Sequence, residues 1–134
     1  MFKLIKILNS GANVPEPVKL PKSPSLGVKM GSALILSGGT VANCTPTTAP
    51  TYIAAQNAVS GEDKVLCYAV SPDMLFETTF NEPSESIVIG AKLTLGTDDE
   101  GSAVNVTADT LSGVATVVDL MGAINPGDKV TVKF

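Results

Sequence analysis

Apolar runs along this chain are short, and turn-forming residues cut each one off before it reaches the length of a helix. Ala33-Leu34-Ile35-Leu36 stops at Ser37-Gly38-Gly39, and Thr40-Val41-Ala42-Asn43 resumes beyond that turn. Residues 44–50 read as a loop, residues 51–55 as a strand, and Ser60-Gly61 marks a turn within residues 57–63. Residues 64–70 form the clearest buried strand, punctuated by Ser71-Pro72-Asp73. Residues 74–80 alternate, with Met74, Phe76, Thr78 and Phe80 on one face and Leu75, Glu77 and Thr79 on the other, the period of a half-buried strand. A polar turn at 82–85 leads into Ile87-Val88-Ile89-Gly90 and then Lys92-Leu93-Thr94-Leu95, where Leu93 and Leu95 share a face. An acidic hairpin loop at 96–102 precedes strands at 104–107, 114–120 and 130–134. Strands of about 4–8 residues recurring every 8–12 or so predict an all-β fold, a small barrel or a sandwich of short antiparallel strands. No long stretch follows a 3.6-residue period, and residues 120–124 admit at most one helical turn.

The N-terminal region is built differently. Pro15, Pro17, Pro21 and Pro24 fall within ten residues. Proline fixes φ, removes a donor and pushes its predecessor toward extended geometry, so residues 14–25 are predicted to form an extended, polyproline-like strap. Ahead of it, Phe2-Lys3-Leu4-Ile5-Lys6-Ile7-Leu8 has strand propensity. Such a segment can close the body's own sheet, add as a strand to another protein, or fray. Five lysines and one glutamate give residues 1–30 a charge of +4, whereas four lysines against twelve acids give residues 31–134 a charge of −8. The chain therefore divides into an extended N-terminal arm, residues 1–25, and a single β domain, residues 26–134, with enough length for one core. The arm is expected to bind a partner, with Phe2, Leu4, Ile5 and Ile7 as apolar anchors and Lys3 and Lys6 orienting it. The body is expected to fold without residues 1–24.

Composition removes whole classes of chemistry. The 134 residues include no His, no Trp and no Arg, since all nine basic side chains are lysines. Imidazole catalysis, His metal ligation, bidentate guanidinium clamps and guanidinium base readout are thereby excluded. Aromatics total 4% and the isoelectric point is about 4.6, so no nucleic-acid partner is expected. No apolar run of 18 residues exists to cross a membrane as a helix, and residues 1–8, broken by Lys3 and Lys6, are too short for a secretory signal. Charged residues make up only 16%, below the usual quarter, which suggests either surface covered by a partner or a surface rich in small hydroxyl residues.

Candidate chemistry is thin. Asp98-Asp99-Glu100 offers three adjacent carboxylates that cannot converge on one calcium ion, so a solvated hairpin tip is expected. Asp73 and Glu77 share a strand face at roughly 13 Å, too far apart for a glycosidase pair. Ser37-Gly38-Gly39 and Ser60-Gly61 lack the continuation of a phosphate loop and any His partner, and read as turns. Cys44 and Cys67 cannot make a zinc site alone; either one disulfide or two buried thiols fits, and reduced structural cysteines are expected. No enzyme activity and no cofactor are expected.

Four stretches carry a resemblance: residues 31–41 (Gly-Ser-Ala-Leu-Ile-Leu-Ser-Gly-Gly-Thr-Val), 90–98 (Gly-Ala-Lys-Leu-Thr-Leu-Gly-Thr-Asp), 113–119 (Gly-Val-Ala-Thr-Val-Val-Asp) and the ending 126–134 (Pro-Gly-Asp-Lys-Val-Thr-Val-Lys-Phe). Together they resemble the decoration or cement proteins of tailed-bacteriophage heads. The resemblance implies a β-barrel or β-tulip body and a virion location on the capsid exterior after assembly in the host cytoplasm. It also implies a homotrimer that clamps neighbouring copies of the major capsid protein, with N-terminal arms pairing to capsid strands. Two other readings fit the same residues. One is another virion β-component, such as a head-fibre base, tail tube or baseplate domain. The other is a carbohydrate-binding or adhesion β-sandwich.

Overall fold

A computed structural model describes residues 1–8, 15–82, 86–121 and 125–134. Among them are twelve strands and no helix. In chain order these are β1 (Lys3–Ile7), β2 (Val18–Pro21), β3 (Ala33–Ser37), β4 (Thr40–Asn43), β5 (Tyr52–Ala54), β6 (Lys64–Ala69), β7 (Met74–Glu82), β8 (Lys92–Leu93), β9 (Leu95–Thr97), β10 (Ala103–Thr107), β11 (Ala115–Asp119) and β12 (Lys129–Lys133). The all-β expectation holds. Turns fall where glycine permits them: Ser37 pairs with Thr40, leaving Gly38 and Gly39 as a two-residue loop with φ of +58° and +85°, the conformation a type I′ hairpin requires.

Two curled sheets divide the strands. The larger runs β8-β11-β12-β7-β10-β9, with β1 added on β7. β7 is its spine. β12 pairs along one edge from Phe76 to Thr79, and the other edge is shared end to end by β1, over Met74 to Glu77, and β10, over Phe80 to Glu82. The smaller sheet runs β2-β6-β5-β3-β4, and its outer strands touch at one parallel bridge, Lys22 to Val41. Of the alternatives predicted, the sandwich fits; no barrel closes through a continuous ladder. The strands pair antiparallel throughout except where β10 runs parallel to β7 and at the Lys22–Val41 bridge.

Period-2 alternation explains how two sheets share one chain. On β3, Ala33 belongs to the main core while Leu34 belongs to a second core inside the smaller sheet; on β5, Ile53 and Ala54 split the same way. Both faces of these strands are buried, so β3 and β5 act as a common wall. The main core gathers Phe76, Phe80, Leu93, Leu95, Val106, Val117, Val130 and Val132, all at most 2% exposed. Val65 and Cys67 of β6 fill the second core with Val28 and Val41.

The strand reading errs where long-range pairing decides. Residues 92–95, read as one strand, divide at Thr94, whose hydroxyl meets that of Thr107 at 2.7 Å and whose N–H donates to Asp109. β8 thereby pairs with β11 and β9 with β10. Ahead of them Gly90 sits at φ +90° and its N–H reaches the Val117 carbonyl outside a ladder.

Part of the segment set apart as residues 1–25 pairs with strands of the body. Residues 3–7 and 18–21 are not a free arm: β1 is a strand of the larger sheet and β2 an edge strand of the smaller. Within the strap Val18–Pro21 is extended, whereas Pro24 and Ser25 form a turn closed by the Leu26 N–H on the Ser23 carbonyl, and an edge position suits Pro21, which has no donor to offer. Lys22, 2% exposed, donates its Nζ to the carbonyls of Leu26 at 2.8 Å and Ser23 at 3.3 Å. The residue expected to open the strap, Val14, lies outside the described residues, as do the centre of the 82–85 turn and the end of the 120–124 segment.

Candidate functional site

β1 carries an irregularity that places its side chains. Lys3 faces Glu77 and Leu4 faces Phe76, but Lys6, not Ile5, faces Leu75, so Ile5 is an extra, bulged residue. A regular strand would put Phe2, Leu4 and Lys6 on one face and Lys3, Ile5 and Ile7 on the other. The bulge shifts the register by one residue. Phe2, Leu4 and Ile7 then all pack against the main core, while Lys3 and Lys6 stay in solvent. Ile5 is left 46% exposed.

Phe2 is bound within its own molecule. It is 2% exposed and meets Phe134 edge-on at 5.3 Å, and Phe134 meets Phe76 at 5.5 Å, which ties both ends of the chain to β7. Its N–H donates to Gly31, and the N–H of Gly31 donates to Ala54, bridging β1 to β5. Gly31 has φ +77°, and a Cβ there would lie 2.6 Å from Met1 Cγ, so a side chain would push the first residues away.

Between β1 and the wall of the smaller sheet runs a groove of about 560 Å³. All six residues expected to bind a partner, Phe2, Lys3, Leu4, Ile5, Lys6 and Ile7, line it. The opposite side consists of Met30, Gly31, Ile53, Ala54, Ala55 and Tyr68. Sequence reading missed this side, because Met30 and Tyr68 lie far along the chain and no local pattern links them to β1. Among the described residues β1 pairs only with β7, so its second edge borders the groove. Among the described residues no carboxylate and no thiol line it, and its ionisable side chains are Lys3, Lys6 and Tyr68. A shallower hollow of about 280 Å³ lies between Lys19, Lys64, Glu62 and Asp63.

The other candidates are engaged structurally. Asp98 pairs with Lys29 at 2.7 Å through Oδ2, while its Oδ1 accepts the N–H groups of Glu100 and Ser102. Lys29 also reaches Glu100 at 3.3 Å. The lysine, hydrogen-bonded to it, holds the Asp98 carboxyl below the usual carboxylate range, and Asp98 and Glu100 raise Lys29 in turn. Asp73 accepts a hydrogen bond from Ser71, and Glu77 pairs with Lys129 at 3.0 Å, so these two carboxylates do not act together. Among the described residues no group of three or more Cys, Asp or Glu is placed to hold a metal. Cys44 and Cys67 are free and lie in different cores. Burial pushes their thiols up to about 12 and about 11.

The fold is thus a two-sheet, all-β body whose N-terminal strand edges an apolar groove. No family model and no curated protein matches the chain. Among solved structures it is similar to the N base of the head fiber protein gp8.5 of bacteriophage phi29, with a TM-score of 0.53 and 19% identity over 88% of this chain and 93% of that one. That likeness establishes a shared fold.

Proposed function

We propose that this chain is a structural protein of a bacteriophage head, acting as the base of a head fibre or a similar head-surface attachment. The observation that carries this reading is the fold likeness, because it takes in nearly all of both chains and the protein concerned is described as a head-fibre base. Surface composition agrees. Val88, Ile89 and Leu111, on loops flanking β8 and β11, are between 63% and 79% exposed, which suits a body that meets neighbours in an assembly. Homotrimerisation and binding to the major capsid protein from outside are part of the proposal. Three copies joined in one assembly bind a repeating shell more tightly than one, through effective concentration.

Light scattering on the purified protein, followed by co-sedimentation with heads of the encoding phage that lack it, tests this reading. Saturable binding at a fixed copy number is expected, with a trimer in solution or on the head. Failure to bind at any concentration overturns it. A cement role predicts in addition that bound protein raises the temperature at which heads rupture, whereas a fibre base leaves that temperature unchanged.

A further inference from the structure

We propose that the β1 groove accepts an extended, acidic segment of a partner protein as an added strand. The inference rests on the head-surface reading for the identity of that partner, and on the geometry of β1 for its chemistry. It also reverses the direction expected of the N-terminal residues: they act as a template that receives a strand and are not themselves donated.

Three observations converge. First, among the described residues β1 forms a ladder on one edge only, to β7, and its other edge is engaged only at its start, where the Phe2 N–H meets Gly31; a bare strand edge pairs readily with another chain unless something blocks it. β1 has no proline; its bulge and two lysines restrict what can add to it without closing the edge, and its bulged residue, Ile5, exposes an apolar side chain. Second, the space beside that edge is apolar and open, with Ile53, Tyr68 and Met30 across from β1. An added strand sits about 4.8 Å from its neighbour, and five residues of β1 offer about 17 Å of ladder. Alternate side chains of the incoming segment would face Ile53 and Tyr68, and Tyr68, whose hydroxyl has no partner among the described residues, supplies a polar end to that contact. Third, Lys3 and Lys6 stand in solvent on the face opposite the core, and neither is ion-paired among the described residues. The bulge keeps both on that one face. Two like charges there, with no carboxylate in the groove, select a segment that alternates apolar residues with Asp or Glu. A second copy of this chain is disfavoured at this edge by its own lysines, since β1 against β1 would set like charges opposite one another.

The probe is a fluorescein-labelled seven-residue peptide alternating Glu with Val, titrated into the full chain. Anisotropy should rise saturably, and amide shifts in nuclear magnetic resonance should concentrate on Lys3–Ile7, Met30 and Tyr68. The same peptide with Lys in place of Glu should bind at least tenfold more weakly. A K3E/K6E double variant, altering only exposed side chains, should keep the parent's far-ultraviolet circular dichroism and reverse that preference. A peptide N-methylated at every second residue should not bind, because it cannot complete the ladder. Equal binding of the Glu and Lys peptides, undiminished binding of the N-methylated one, shifts elsewhere, or self-association through β1 each overturns the inference. Co-sedimentation with heads separates it from the functional reading. If the parent binds heads and K3E/K6E binds them equally, the groove proposal fails and the head-surface role stands; if the parent does not bind, the role itself fails.

Discussion

Phe2 shows how a single side chain can reverse a functional reading. Taken with its neighbours it reads as an anchor for another protein, yet it lies in this chain's own core against Phe134. Replacing it, Phe2→Ala, should lower the free energy of unfolding by about 3 kcal/mol, read from urea denaturation; a change under about 1 kcal/mol would show that β1 is not docked in solution. The cysteines make a second residue-scale case. Their folded values, about 12 for Cys44 and about 11 for Cys67, lie above that of an unfolded thiol, about 8.5. Burial favours the neutral form, so this contribution is complete below the unfolded value and is lost as pH rises toward the folded ones. Stability should therefore decline from about pH 9 upward, with a shallower decline in a Cys44→Ala/Cys67→Ala double variant. At neutral pH, iodoacetamide should label neither thiol until the protein opens.

At the scale of elements, the β9–β10 hairpin is held to the smaller sheet's side of the molecule through Lys29. Asp98 both shapes the hairpin turn and pairs with that lysine. Its folded value is lowered, so the pair's contribution is present above the ordinary carboxylate range and lost as pH falls through the lowered value; that of Lys29 is raised, so the same contribution is lost again on the alkaline side. Asp98→Asn keeps the turn acceptor and removes the charge. It should lower Tm by at most a few degrees at pH 7, because exposed ion pairs contribute little. The difference should vanish in acid and shrink with added salt. A difference that persists at low pH would assign the effect to the turn. The acidic loop itself was legible as a hairpin tip from its composition, whereas its lysine partner, 69 residues away, was not, because no local rule links the two.

For the whole molecule, the order of strands decides what the N-terminal residues do. Removing residues 1–8 takes β1 from the flank of β7 and strips Phe2, Leu4 and Ile7 from the main core. The truncated chain should lose several degrees of Tm or fail to fold cooperatively, followed by circular dichroism. Full stability after truncation would restore the picture of a free arm.

Turn residues and alternation were enough to place most of the strands between residues 33 and 134 and to make the fold all-β, because both depend on which φ values a residue tolerates and which neighbours share a face. They also marked residues 2–7 as apolar with lysines interposed. What local pattern cannot carry is the choice of hydrogen-bond partner. A strand edge pairs with whatever edge the packing of distant side chains brings alongside, and only that packing seated β1 on β7, split residues 92–97 between two neighbours and opened a groove where a tail had been expected.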